Sequence, residues 1–405
     1  MTTETTASLR KRISSIMPQL IEFRHDLHTH PELGYEEHRT SGEVCKALTE
    51  AGVEFVDGLA GGTGVLGHLP GKTEQAVGLR ADMDALPILE QTGLDYASVN
   101  EGVMHACGHD GHTTILVGTA RVLAQVAGEG TLPNPVTFLF QPAEEGGGGG
   151  KRMVEDGCLD GKVIGPSVSR MYGLHGWPIL PLNMISTRPG PMLAAADRFD
   201  ITVTGVGGHA AMPHATRDPI IASAAIVQAI QSIVSRNVDP VQGAVISVTM
   251  FNAGSAFNII PETCTMAGTV RALDDDAMAT VRMRLDQVVE TVAAAHGCKA
   301  NMEYHVGYPV TRNDPGEVDT VLGTARSLLG EEQVQLLESP VMGAEDFSYY
   351  CEQVPSCFFA LGLLPPDQDS IPLLHHPCFD FNDNVIATGI EMFCTLALND
   401  MARKC

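Results

Sequence analysis

Residues 104–112 read Met-His-Ala-Cys-Gly-His-Asp-Gly-His, which puts one thiol and three imidazoles into nine positions. Cys107 and His109 lie two apart, so in extended backbone their side chains point the same way. Thiolate and imidazole together are good ligands for zinc or a neighbouring transition metal. Taken alone, the run serves equally as a loop whose histidines only hydrogen-bond. A second capable segment, Gln141-Pro142-Ala143-Glu144-Glu145, follows the apolar run 136–140. Adjacent carboxylates at the end of a buried strand are costly unless a cation or a proton occupies one. One can then bind metal while its neighbour acts as general base; the plainer alternative is a solvated acidic loop. His175, after Tyr172-Gly173-Leu174, and His375, in Leu374-His375-His376-Pro377, are lone histidines of a kind that usually serve a core or a loop.

These residues need a frame. Strand-like apolar runs at 76–79, 136–140, 170–174 and 357–361 end near polar, chemically capable side chains, and helical stretches such as 113–126 lie between them. Strands alternating with helices predict a largely parallel α/β sheet covered on both faces, with ligands outside the carboxyl ends of its strands. From 196 to 305 the texture changes to strand (198–204), helix (219–235), strands (244–251, 263–272), helix (275–296) and strand (300–305). That βαββαβ order is the ferredoxin-like split pattern, read here as a smaller α+β domain inserted into the first. The predicted domains are therefore 1–195 with 306–405, and 196–305. Gly146–Gly150 is read as a tight loop leading into a helix.

Composition narrows the partners. A formal net charge of −24 repels phosphate backbones and anionic lipid, which argues against nucleic-acid and membrane partners. The first dozen residues carry no apolar core of a signal peptide and no run of about 18 apolar residues is apparent later, so a cytoplasmic location is expected. Ten scattered cysteines without a CxxC pair read as mostly reduced, buried small hydrophobes. At 405 residues the chain is long enough for two domains at roughly 150 residues each.

With Arg24-His25-Asp26-Leu27-His28, His30-Pro31-Glu32, the run Gly78 to Pro87 (Gly-Leu-Arg-Ala-Asp-Met-Asp-Ala-Leu-Pro) and Gly343-Ala344-Glu345-Asp346-Phe347, these motifs recur in one order along nearly the whole chain. The chain resembles the metallopeptidase family of bacterial hippurate hydrolases, plant indoleacetyl-amino-acid hydrolases and aminoacylases. The resemblance implies a zinc-peptidase-like catalytic domain and an inserted dimerisation (lid) domain. It implies two divalent ions per chain (zinc, manganese, cobalt or nickel) held by Cys107, His109, Glu145, His175 and His375, with Cys107 bridging and Glu144 as general base. His375 matches the family pattern Leu-His-variable-Pro better than His376. Related carboxypeptidases and desuccinylases carry a ligand in a His-x-Asp motif where this chain has Arg80-Ala81-Asp82; Arg cannot ligate, which leaves Asp82 and Asp84 as groups that orient ligands or anchor loops. His25, His28 and His30 match a signature whose role looks structural.

In the inserted segment, Gly205 to His214 is a Gly-rich turn between strand and helix. By resemblance its His209 reaches the partner subunit's site in a homodimer and stabilises an oxyanion, while Asn258 and Arg271 resemble residues that hold the substrate carboxylate or carbonyl. The implied reaction is hydrolysis of the amide of an N-acyl-L-amino acid. The rivals are a dipeptidase or aminopeptidase of the same family, which would need an acidic group for a free α-amine, and an inactive metal-binding scaffold, which would be expected to have lost Glu144 or a ligand.

Overall fold

The computed structural model describes residues 3–399. The chain divides into two compact units: one comprises residues up to Met192, Arg312–Ser339 and Asp346 onward, the other Leu193–Thr311 and Pro340–Glu345.

The first unit is built on an eight-stranded mixed sheet. At its centre Val136–Gln141, Ala76–Asp82, Val168–Pro181 and Ser356–Leu364 run side by side in that order, each parallel to its neighbour. Val136–Gln141 and Ala76–Asp82 are buried along their whole length, as expected of strands covered on both faces. Glu54–Leu59 and Gly64–Leu69 extend one side as antiparallel strands, and Ile185–Thr187 and Val334–Leu336 extend the other. Helices Thr3–Thr29, His109–Glu129 and Ile386–Leu398 pack against one another, and Leu20, Ile115, Leu116, Ile390 and Phe393 join one core with the sheet residues Leu79, Phe138 and Phe359. The result is the α/β fold with a mainly parallel centre that the alternation of strands and helices implies.

The second unit is a four-stranded antiparallel sheet in the order Ala244–Ala253, Thr263–Ala272, Ala195–Thr204, Lys299–Tyr308, with helices Pro219–Asn237 and Asp275–Ala295. Both helices begin where an aspartate side chain accepts backbone N–H bonds, Asp218 before Pro219 and Asp274 before Asp275. Along Ala195–Thr204, Phe199, Ile201 and Val203 are buried while Arg198, Thr202 and Thr204 are exposed, so one face of the sheet receives the helices.

By length and composition alone Pro219–Asn237 passes for a membrane crossing, a test that core helices pass as well. Its Ala222, Ile226, Ile230 and Ile233 sit in the core of the second unit, which accounts for its apolar character. The nine described cysteines are free thiols, and Cys405 lies outside the described residues.

Candidate metal centre

Two strand ends and one strand interior bring the chemically capable residues of the first unit together: the run expected to stop at Leu174 continues as Val168–Pro181, so His175 lies inside a strand, where it is paired with Ala360. Asp82 closes one central strand, Gln141 the next, and the two are register partners. Pro142 cannot donate to the sheet ladder, and the chain turns there so that Glu144 and Glu145 follow the strand directly.

Cys107 and His109 do converge, but not through extended backbone. His109 is the first residue of helix His109–Glu129, and Gly108 before it is left-handed at φ 85°. This kink turns both side chains inward. A Cβ at Gly108 would also lie 2.8 Å from the Phe381 ring, so the position demands glycine twice over. The two side chains meet through this kink and not through the two-residue spacing of an extended strand. The loop is pinned by pairing of Met104 with Leu86 and by the His375 N–H donating to the Ala106 carbonyl at 2.8 Å.

Donor atoms gather in overlapping groups: Cys107, His109 and His175; Cys107, Glu145 and His375; His109, Glu144 and Glu145. Within each group they lie within 4.8 Å of one another. Two of the three imidazoles, His109 and His175, have their orientation set from behind. His109 Nδ1 bonds the Asp84 carbonyl at 2.9 Å and lies 3.1 Å from Asp84 Oδ1, which leaves its buried Nε2 without a hydrogen bond, 3.6 Å from Asp82 Oδ2. His175 Nδ1 bonds the Gly176 carbonyl at 2.8 Å, and its Nε2 sits 3.4 Å from Cys107 Sγ. His375 Nε2 lies 3.1 Å from Glu145 Oε1. His376 is turned elsewhere, its Nδ1 accepting the Cys378 N–H at 3.0 Å.

A third imidazole of the 104–112 run has a supporting place. His112 Nε2 accepts the Gly176 N–H at 2.8 Å and its Nδ1 bonds Asp82 Oδ1 at 2.7 Å, so neither nitrogen is open to a cation. Its effect is to fix the peptide beside His175. Asp84 carries more than the sequence suggests, since Oδ2 also accepts the Glu145 N–H at 2.9 Å. Arg80, fully buried, donates to Gln141 Oε1, Asp82 and Asp346 at 2.9, 2.6 and 3.0 Å, and the Asp346 N–H reaches Glu144 Oε1 at 3.3 Å. His28 belongs to a separate buried network, bonding Asp110 at 2.9 Å beside Arg24.

The electrostatics describe a site short of positive charge. Burial pushes the Cys107 thiol well above its usual range, and the Glu145, Glu144 and Asp82 carboxylates push it further. Burial would lower His109, yet Asp82 and Asp84 outweigh it and bring the imidazole up to about 10. Glu145 is held low against its burial by His375 and His109. Burial and the neighbouring His112 keep His175 neutral. The crowd of carboxylates that raises the thiol and His109 would be met better by a dication, and the His109 ring also lies within the donor groups of Cys107, His175, Glu144 and Glu145. One thiol, three imidazoles and a carboxylate suit divalent transition metals, and imidazoles held from behind by carbonyls and a carboxylate are the usual support of such ligands.

His209, Asn258 and Arg271 lie in the second unit. His209 is exposed on the short strand Gly208–His209, and its Nδ1 accepts the Ala211 N–H at 3.1 Å. A neutral imidazole so bonded carries its proton on Nε2. The backbone carbonyl of Asn258 accepts the Ala210 N–H, and Arg271 is half-buried in strand Thr263–Ala272.

A thiol–imidazole–carboxylate cluster with a spare glutamate, set at the carboxyl ends of parallel strands, defines a metal-dependent hydrolase. The chain belongs to peptidase family M20/M25/M40, whose profile matches residues 78–399. It is similar to an N-acetyl-L-cysteine deacetylase of Bacillus subtilis, 40% identical over 376 residues that cover 92% of this chain and 86% of that protein. It is also similar to a hippurate hydrolase of Campylobacter jejuni, 39% identical over 392 residues that cover 96% and 99%. The crystal structure of a Bacillus subtilis protein described as a dinuclear metal binding peptidase of the M20 family superposes with a TM-score of 0.79 at 34% identity, covering 95% of this chain and 98% of that one.

Proposed function

We propose that the chain is a cytoplasmic, homodimeric amidohydrolase that cleaves N-acyl-L-amino acids into a carboxylic acid and an amino acid, using two divalent ions held by Cys107, His109, Glu145, His175 and His375. The observation that carries this reading is the overlap of donor groups around Cys107, His109 and Glu145 with Glu144 alongside. The deacetylase and hippurate hydrolase relatives supply the substrate class.

Two bound dications, zinc, manganese, cobalt or nickel, would polarise the scissile carbonyl and make water acidic enough to attack at neutral pH. Glu144, buried and steadied by the Asp346 N–H, takes the proton of the attacking water. It then hands that proton to the departing nitrogen, because an amine anion is a very poor leaving group. His209 of one subunit donates its Nε2 proton in a hydrogen bond to the developing oxyanion in its partner's site. Asn258 and Arg271 hold the substrate carboxylate or carbonyl. Two dications against the Cys107 thiolate, Glu144 and Glu145 leave about one positive charge at the site, so it attracts an anion despite the acidic surface.

The dimer would form through the second unit. Its edge strand Ala244–Ala253 exposes Val245, Met250 and Phe251, and an open edge with apolar side chains invites pairing with its own copy about a twofold axis.

The test is a hydrolysis screen of N-acetyl, N-benzoyl, indolylacetyl and long-chain N-acyl amino acids, with dipeptides as a control, against enzyme reconstituted with each metal. Turnover of N-acyl amino acids above dipeptides is expected. Preference for a free α-amine overturns the substrate assignment, and no turnover with any metal overturns the enzymatic one.

A further inference from the structure

The turn that presents Glu144 is held in an unfavourable backbone shape. Ala143 has φ 52°, in the left-handed region where an L residue with a Cβ is disfavoured. Such conformations persist only where the surroundings impose them. Inside the turn, the Gly146 N–H bonds the Glu144 carbonyl at 2.7 Å and the Gly149 N–H bonds the Ala143 carbonyl at 3.1 Å. Neither bond explains why Ala143 itself is turned.

The restraint comes from a segment more than a hundred residues away. Glu37, fully buried at the start of helix His38–Ala51, accepts the Ala143 N–H on Oε1 at 2.8 Å. Its Oε2 accepts the Thr63 hydroxyl at 2.8 Å, which fixes the carboxylate plane. The same segment closes on the turn at two more places. A Cβ on Gly34 would stand 3.1 Å from Ala143 Cα and Cβ, and the Tyr35 hydroxyl bonds the Gly147 carbonyl at 2.7 Å. Glu145, next along, is anchored independently through its N–H to Asp84. The two adjacent glutamates therefore have separate holders.

We infer that Glu37 is a positioning residue for catalysis: by gripping the Ala143 N–H it holds the left-handed turn that aims Glu144 at the reacting water, while Asp84 independently fixes Glu145. The inference rests on Glu144 acting as the base. Losing the grip lets Ala143 relax out of the left-handed region. A base displaced by about an ångström costs on the order of a hundredfold in turnover. Glycine at 143 removes the strain the grip works against, which corresponds to roughly five- to thirtyfold in the population of the turn.

The test compares Glu37→Ala, Glu37→Gln, Ala143→Gly and the double variant Glu37→Ala/Ala143→Gly, measuring kcat, KM, metal content by elemental analysis, and thermal melting. Glu37→Ala should lower kcat by about a hundredfold, with KM within about threefold and metal content unchanged. Glu37→Gln, whose amide still accepts from Ala143, should stay within about fivefold of the parent, and the double variant should regain about five- to thirtyfold over Glu37→Ala. If Glu37→Ala does not fold alone, the double variant decides. Folding with activity there supports the role, and an inactive or unfolded double variant beside a sound Ala143→Gly overturns it. Unchanged kcat in Glu37→Ala, or equal loss in Glu37→Ala and Glu37→Gln, also overturns it. Glu144→Gln runs alongside: if that variant keeps full turnover, the base assignment fails instead.

Discussion

Replacing Gly108 by alanine should disable the metal centre, and the size of the effect follows from two separate costs. Gly108 stands between Cys107 and His109 at φ 85°, where a Cβ costs about 1–2 kcal/mol. That Cβ would also meet the Phe381 ring at 2.8 Å with the Phe379 ring 3.5 Å away, both rings being fully buried, and overpacking of this kind costs about 1–3 kcal/mol. The sum is about 2–5 kcal/mol, taken up either by unfolding or by a shift of the two donors. Gly102 is the control. Its φ is 80°, and a Cβ there would touch nothing within 4 Å. Gly102→Ala should therefore lose only the conformational part. Urea denaturation of both variants, with metal content measured on each, separates the costs: Gly108→Ala should be the less stable and carry less metal. Equal stability of the two, with full metal in Gly108→Ala, would refute the tight kink as the device that joins Cys107 to His109.

Glu144→Gln should keep metal content and fold while turnover drops by roughly two to four powers of ten, as loss of a proton carrier implies; metal loss with activity retained would exchange the roles of Glu144 and Glu145. Chains carrying His209→Ala and Glu144→Gln, each nearly inactive alone, should regain up to about a quarter of parental activity when mixed and reassociated, since random pairing makes half the dimers heterodimers with one intact site; no recovery in verified heterodimers would remove His209 from the partner's site. Away from the metal centre, His28 gives a pH signature. Burial would lower its pKa, but bonds to Asp110 and Glu90 outweigh that and raise it from 6.5 to about 9. Because the folded value is raised, the stabilisation is complete below 6.5 and is lost as the pH climbs through about 9, a change on the order of 3 kcal/mol. Urea midpoints from pH 6 to 10 should fall for the parent relative to His28→Asn, and parallel curves would contradict the buried pair.

Much of this fold is legible because its signals are local. The switch from buried apolar runs to alternating strands near residue 196, and the Asp-Pro and Asp-Asp helix starts at 218 and 274, all lie within a few residues of what they specify. Cys107, His109, Glu144 and Glu145 are visible for the same reason, as dense runs of chemically capable side chains. What orients them is not visible. Arg80 meets Asp346 across 266 residues and Glu37 meets Ala143 across 106, and no spacing rule predicts either. The left-handed Gly108 defeated the extended-backbone reasoning, because a single φ reverses the direction of the chain. His112 shows the converse limit: its residue type suggests a ligand, and only its two hydrogen bonds reveal a support.

The most direct measurement is anomalous X-ray diffraction, at the absorption edge of the loaded metal, from crystals of the reconstituted enzyme. Two anomalous peaks about 3.5–4 Å apart are expected, with Cys107 between them and His109, Glu145, His175 and His375 completing the shells. A single peak, or cations bound through Asp82 and His112 with Cys107 outside their reach, would contradict the dinuclear centre on which the proposed hydrolysis depends.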